Sequence, residues 1–356
     1  MYDIIIIGAG TAGCYLARLL DPNLNVLIIE KDKKVKLKDS GIVSTRFTQF
    51  FSSKFIKERI KQMTLVSPSN LSYSISSEKP FAYVLKRKEF AQALRSEARK
   101  KAKIVYEEAQ EIDISKNVKV RTNKNDYECK LIVGADGANS VVRKALGIKP
   151  PRCCTGIMVK NRSVESNIRI FFNKYFSPEF FAWIKNEEYG LMTATRPPDY
   201  LNYFREQQEL PKGKLYAAQI PIGYTKSFSK HAILIGDACG QVKPVTGGGI
   251  ILSAKAANHA ASVIENAIRK NNFSTRTLYE YEKSWKDDFG WEIRKQLLIR
   301  KIYRKLSNKD IEQILKDFMP SIEQTSFDYD YLSNIWKSIP TIKLIKHVIT
   351  KLPLLF

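Results

Sequence analysis

The chain has 356 residues, 44% of them hydrophobic, which is enough apolar material for more than one packed domain and excludes a disordered chain. Lysine and arginine outnumber aspartate and glutamate 59 to 36, and the net charge of +23 favours anionic partners such as phosphate-bearing surfaces or acidic proteins. Membrane spanning, secretion, metal binding and nucleic-acid binding are not expected. No apolar run approaches the roughly 18 residues of a membrane span. The N-terminus reads as a strand without a signal-peptide charge pattern. The five cysteines, including adjacent Cys153 and Cys154, have neither metal-ligand nor disulfide-framework spacing and suit a reducing cytoplasm. No zinc-finger or other nucleic-acid-binding motif is present.

In chain order, Ile4–Ile7 is a β-branched apolar run, as in a buried parallel strand. It feeds Gly8-Ala9-Gly10-Thr11-Ala12-Gly13, a G-x-G-x-x-G turn, and then a helix to about Leu20. A second strand, Val26–Ile29, ends at Glu30. The glycines permit a tight turn and let a pyrophosphate approach the helix N-terminus, while Glu30 is placed to accept the ribose hydroxyls of an adenosine. An acid at position 30 disfavours a 2′-phosphate and fits NAD or FAD equally. Next, Val84-Leu-Lys-Arg87-x-x-Phe90 sets Arg87 at the start of an amphipathic helix to about Lys101. A strand from Leu131 ends in Asp136-Gly137, and Ser140-Val-Val-Arg143 opens a short helix. Far downstream, another strand ends in Gly236-Asp237, and a loop through Pro244 reaches Gly247-Gly248-Gly249. Those glycines open an apolar, alanine-rich helix from about Ile250 to Ile268.

The Arg87, Asp136-Gly137 and Gly236-Asp237 elements together resemble those that distinguish flavoproteins of the para-hydroxybenzoate hydroxylase superfamily from simple NAD dehydrogenases. The resemblance implies FAD. It implies that Asp237 hydrogen-bonds the flavin ribitol, and that the helix opened by Gly247–Ile250 points its N-terminus at the flavin pyrimidine ring, favouring the anionic reduced form. It also implies cofactor contacts from Ser40, Gly41 and Ala109. Within the superfamily, Asp237-Ala-Cys-Gly-Gln-Val-Lys-Pro-Val-Thr-Gly-Gly-Gly-Ile250 closely resembles the geranylgeranyl reductase family, in its archaeal lipid-reducing style. Pro178-Glu-Phe-Phe181-Ala-Trp183 is similar to the first part of that family's P-x-x-Y-x-W-x-F-P signature, with Phe181 for the tyrosine. Lys185 and Asn186 depart from its Phe-Pro end. The resemblance covers about the first 300 residues, including Tyr281-x-x-x-Trp285 as a helix start, and extends toward Leu306–Asp310.

The resemblance implies reduction of isolated double bonds in geranylgeranyl chains of digeranylgeranylglyceryl phospholipids, with Phe181 and Trp183 walling the chain. Plain strand core is the alternative for both residues. Relatives carry a cysteine in the loop after the ribose-binding acid. Here that stretch is Lys38-Asp39-Ser40-Gly41-Ile42-Val43-Ser44, which leaves Asp39 and Cys239 as candidate catalytic groups and Cys239 also as a packed small residue. His231 reads as a loop histidine. The rival readings are a flavin-dependent monooxygenase, chlorophyll-type prenyl reduction and a non-catalytic prenyl-lipid-binding flavoprotein.

The expected fold is α/β: a discontinuous Rossmann-like FAD domain (1–66, 84–150 and 228–270), an inserted antiparallel substrate sheet (67–83 and 151–227) and a helical region (271–356). Segments 64–83, 155–184 and 216–223 alternate as strands should and are expected to line an apolar tunnel. No second G-x-G-x-x-G is present for NADPH, so electrons come from a transiently docked NAD(P)H or from an acidic protein such as ferredoxin. The last stretch, from Thr341, places Ile342, Leu344, Ile345, Val348, Ile349 and Leu352 near one face with Lys343, Lys346 and Lys351 largely elsewhere. That pattern suits an anionic membrane surface, or packing on its own domain. The expected location is the cytoplasm, peripheral on the inner face of the cell membrane.

Overall fold

The computed structural model describes residues 1–322 except 38, 116 and 165, with side chains to 319. The basic stretch from Thr341 lies outside the described residues. The helices are α1 (Thr11–Leu19), α2 (Phe47–Phe50), α3 (Arg87–Ala98), α4 (Val141–Ala145), α5 (Pro197–Gln207), α6 (Ile250–Arg269), α7 (Thr275–Trp285), α8 (Trp291–Lys305) and α9 (Asn308–Ile322).

The first sheet is built on parallel strands. Ile4–Ile7 pairs on one side with Val26–Ile29 and on the other with Leu131–Gly134, and Ile132–Gly134 pairs in turn with Ala232–Leu234. Lys103–Tyr106 extends the sheet beyond Leu27–Glu30. These strands are continuously apolar because both faces are covered. Ile4, Ile6 and Ile28 pack with α1, α3 and α6, whereas Ile5, Ile7 and Leu27 pack with Val118, Val120 and Val142 on the other side.

The second sheet has seven strands, antiparallel except where Arg169–Phe171 runs alongside Thr64–Val66. Alternation gives it two distinct faces. Ile157, Val159, Phe171, Ala182, Ile184, Tyr189 and Leu191 face one way and are covered by Leu201 and Phe204 of α5. Their neighbours in sequence, including Gly156, Met158, Trp183, Gly190 and Met192, face the other way. Register puts Trp183 opposite Gly190, Gly190 opposite Met158, Met192 opposite Gly156, and Cys154 opposite Ile220.

One boundary moves. Gln62–Val66, assigned by sequence to the FAD domain, hydrogen-bonds in the seven-stranded sheet through Ser72–Ser76 and Arg169–Phe171. Its partner Arg169–Phe171 lies about a hundred residues downstream, so local pattern could not reveal the pairing. Ile42–Ser44, Ile56–Ile60 and Ala82–Leu85 form a separate three-stranded sheet. Tyr281 and Trp285 fall in the C-terminal half of α7 rather than at its start. That start is set by Ser274, whose hydroxyl accepts from the Thr277 N–H. At the next junction, Ser307 and Asp310 cap α9 reciprocally.

Candidate functional site

The chain reverses direction at Gly8, whose φ of +103° only glycine adopts without strain, and a Cβ there would lie 2.5 Å from the Ala135 carbonyl oxygen. This contact seats the glycine turn on the Asp136-Gly137 strand end. Ala12 of α1 packs against the Gly236 turn, its Cβ 3.1 Å from where a Gly236 Cβ would sit. The three glycine-bearing motifs therefore converge at one end of the parallel sheet, outside the carboxyl ends of its strands, where such sheets hold ligands.

Helix α1 begins at Gly10 without a side-chain cap or an acid in its first turn. Its free N–H groups and positive dipole end open on a cavity of about 240 Å³ lined by Gly10, Thr11, Glu30, Arg87 and Arg95, among others. Glu30 is fixed at the cavity wall. One carboxylate oxygen accepts from the Ala9 N–H (2.7 Å) and the other from the Asp32 N–H (2.8 Å), with Arg95 at 3.6 Å. Arg95, 8% exposed, also donates to the Asp32 and Lys33 carbonyls, which holds the loop after Glu30 in place. Sequence reasoning missed it. The one signal was an arginine adjoining the buried stripe Phe90, Leu94 and Ala98 of α3.

Arg87 grips Asp39 with two parallel hydrogen bonds of 2.6 Å, and Asp39 also accepts from the Gly41 N–H at 2.9 Å. Gly41 is needed for this approach, because its Cβ would sit 2.6 Å from Arg87 Cγ. The Ser40-Gly41 turn is thus stapled to the start of α3. Burial works against ionisation of Asp39, but the Arg87 guanidinium prevails and holds the carboxyl below its ordinary value. Asp39 is therefore an anchored carboxylate, not a ready proton donor. At the end of the strand beside Ile4–Ile7, one Asp136 oxygen accepts from the Val141 and Val142 N–H groups (2.7 and 3.3 Å), capping α4. Arg143, also missed in role, bridges the Ala138 and Ala238 carbonyls, both at 2.7 Å, tying this turn to the Asp237 turn.

The Asp237 turn rests on a fully buried network. The Gln241 amide oxygen accepts from the Gly236 N–H (2.7 Å), its NH2 donates to Tyr281 Oη (2.9 Å), and Tyr281 donates to the Leu234 carbonyl (3.0 Å). Gly247 turns the loop at φ +71° onto the seven-stranded sheet, where its Cβ would meet Ile220 Cδ1 at 3.1 Å and Met192 Sδ at 3.9 Å. Gly249, 3.2 Å by the same measure from Asp237 Oδ1, caps α6, which has no acid in its first turn. Ile250 begins the helix, with its positive end directed at the loop.

Two of the residues singled out in the sequence lie deeper in the fold. Cys239 is fully enclosed and its thiol donates to the Leu234 carbonyl at 3.2 Å, while burial keeps the thiol protonated, its pKa well above the ordinary value. It packs beneath the turn, as its reading as a small packed residue expects. Ala109 begins a strand opposite Thr122, in a branch of the same sheet, and is buried with Val118 and Val120. His231 occupies a left-handed turn, its ring stacked on Phe273 and its Nδ1 2.7 Å from the Lys130 carbonyl.

The residues present fit FAD. A Cβ on Gly10 would meet nothing within 4 Å, which leaves the helix N-terminus open to a pyrophosphate. Arg87 Nη1 and Asp136 Oδ1 are buried without a partner on the two sides of the glycine turn. Such orphaned polar atoms are costly unless a polar ligand meets them.

Burial, reinforced by the Asp39 charge, pushes the Asp237 carboxyl up to about 6. Its folded value lies above the unfolded one, so the ionised form is the disfavoured one, and stability falls as pH rises from about 4 to about 6. Relative to Asp237→Asn, FAD-free wild-type protein should lose on the order of 2 kcal/mol across this window. Thermal midpoints measured from pH 4 to 7 test this, and parallel curves for the two proteins would contradict it.

A family model for the FAD binding domain matches residues 1–200. An uncharacterized protein of Methanocaldococcus jannaschii is 29% identical over 90% of this chain and 89% of its own length. A digeranylgeranylglycerophospholipid reductase of the same organism is 26% identical over 99% of this chain and 96% of its own. Among solved structures, a geranylgeranyl bacteriochlorophyll reductase-like protein of Thermoplasma acidophilum superposes with a TM-score of 0.86 at 20% identity, covering 98% of both chains. The resemblance to the geranylgeranyl reductases read from the loop after Asp237 is borne out by these relatives. The chain belongs to the FAD binding domain family and is an FAD-dependent oxidoreductase.

Proposed function

We propose that the protein reduces isolated double bonds in the geranylgeranyl chains of archaeal-type ether phospholipid precursors. The observation that carries this reading is which face of the seven-stranded sheet meets the flavin loop. Met192 and Ile220, against Gly247, lie on the face that also bears Trp183. Phe181, two residues before Trp183 on the same face, packs with Phe172 and Phe180 (ring centroids 6.3 and 5.4 Å), and Phe180 reaches Tyr303 of α8 at 4.9 Å. An alkene chain without polar handles is held by apolar area and shape, and this wall supplies both.

FAD, when bound, supplies the hydride. The chain's own groups bind and orient. The first turn of α1 and Arg87 would hold the pyrophosphate, Glu30 would hold the ribose, and Asp237 would hold the ribitol hydroxyls. The positive end of α6, with no acid in its first turn, would favour an anionic reduced flavin. The apolar wall excludes water and fixes the chain beside the flavin. No described helix is long and apolar enough to cross a membrane. A charge of +23 suits work from the cytoplasm at an anionic membrane face, with electrons from an acidic protein such as ferredoxin or from NAD(P)H.

Trp183 spans the gap left by Gly190, whose Cβ would lie 2.7 Å from Trp183 Cζ2. Trp183→Ala should retain FAD but slow lipid turnover at least about 10-fold through lost apolar contact. Flavin absorbance and lipid turnover are measured on the same preparation, and unimpaired turnover would remove Trp183 from the site. The reading itself is tested by mixing reduced protein anaerobically with digeranylgeranylglyceryl phosphate and following flavin absorbance. Reoxidation by the lipid supports it, and flavin that stays reduced contradicts it.

A further inference from the structure

Helix α8 carries a polar stripe where a packing helix would present leucine or isoleucine. Glu292, Gln296 and Arg300, spaced four apart on one face, are 4%, 0% and 3% exposed. Gln296 donates to Glu292 at 3.1 Å and accepts from the Val245 N–H at 3.2 Å. One turn later, Arg300 donates through Nη1 to the Pro244 carbonyl (3.2 Å) and through Nη2 to Glu179 Oε2 (2.9 Å) and Cys154 Sγ (3.2 Å). Pro244 and Val245 lead into the three glycines, Cys154 lies on the apolar face of the seven-stranded sheet, and Glu179 sits between Pro178 and Phe180 in the aromatic segment. A single helix thus holds the flavin loop, the wall strand and the aromatic segment. That segment is fastened to the same helix a second time, through Lys174 on the Tyr303 and Arg304 carbonyls (3.2 and 3.3 Å).

Apolar packing can fill this space but leaves a loop free to slide. A guanidinium and an amide, with fixed donor directions and buried partners, set distance and angle. We propose that Gln296 and Arg300 are positioning residues that register the flavin loop against the apolar wall, so that α8 sets where a bound chain meets the flavin. The turnover part of this inference rests on the lipid-reductase reading. The flavin part does not.

The test uses the FAD-loaded full chain with Gln296→Leu, Arg300→Met and Arg300→Lys. Each variant is expected to keep FAD, because the Glu30 half-site is untouched, and to show shifted visible flavin bands and a displaced midpoint potential. On prenyl lipid, kcat should fall by about 10- to 100-fold with KM changed less than about 3-fold, as misplacement by an ångström or less produces. Arg300→Lys keeps the charge but not the planar fork whose separate nitrogens reach the Pro244 carbonyl and Glu179, so it should fall between wild type and Arg300→Met. Should Arg300→Met fail to fold, Gln296→Leu and Arg300→Lys carry the test. Folded variants with wild-type bands, potential and kcat would overturn the proposal, as would a lowered melting temperature with the flavin signature unchanged. If wild-type protein reduces no prenyl lipid, the functional reading fails, while the bands and potential still decide the role of these residues.

Discussion

Gly13→Ala should leave the protein without FAD and cost at least about 2 kcal/mol of stability, because the added methyl overpacks a junction of backbone. A Cβ at Gly13 would lie 2.1 Å from the Gly8 carbonyl oxygen, 3.1 Å from Ile6 Cγ2 and 3.2 Å from Ala135 Cβ. Relief requires α1 to move away from the strand Tyr2–Ile7, which carries the helix N-terminus off the cavity. Gly10→Ala separates packing from ligand space three residues earlier. Its methyl meets nothing within 4 Å, so the variant should fold with near-wild-type stability and yet retain less FAD. Urea midpoints and the flavin-to-protein absorbance ratio of the two variants check both statements. Equal effects on the two measurements would show that Gly10 does not face the cofactor.

Glu30→Ala should weaken FAD binding about 100-fold, equivalent to about 3 kcal/mol for two charge-assisted hydrogen bonds to the ribose. The carboxylate is held in place by the Ala9 and Asp32 N–H groups, so its position does not depend on the ligand. Removing it also leaves the nearly buried Arg95 guanidinium facing the cavity without its anion. Glu30→Gln keeps the shape and loses the charge, so its affinity should fall between the two. Titration of FAD-free protein by flavin fluorescence quenching measures all three, and wild-type affinity in Glu30→Ala would place the adenosine elsewhere.

These two residues were readable before the structure because their chemistry is local. The strand Ile4–Ile7, the glycine turn and Glu30 lie within thirty residues, and each limits what its neighbours can do. The helix from Ile250 was equally plain, since three glycines followed by an alanine-rich apolar stripe admit few alternatives, and it runs to Arg269. Long-range pairing was not readable. Gln62–Val66 alternates like any strand, and nothing near it announces Arg169–Phe171 as its partner. The polar ladder of α8 was hidden for a related reason. In sequence, Glu292, Gln296 and Arg300 look like the solvated face of a basic helix, and only the arrival of Pro244, Val245 and Glu179 from distant segments makes that face the buried one. Cys239 was open to two readings, a catalytic group or a packed small residue. Its place in the flavin loop suggested chemistry, but the loop folds its thiol inward onto the Leu234 carbonyl.

In the proposed reaction the apolar wall would hold the substrate chain, and its position against Gly247 is what would bring that chain to the flavin. Mass spectrometry of digeranylgeranylglyceryl phosphate after anaerobic incubation with the dithionite-reduced protein tests this junction most directly. Product masses rising in steps of two hydrogens are expected. Lipid of unchanged mass beside a protein that holds FAD, or lipid that gains oxygen when NADPH and air replace dithionite, would contradict it.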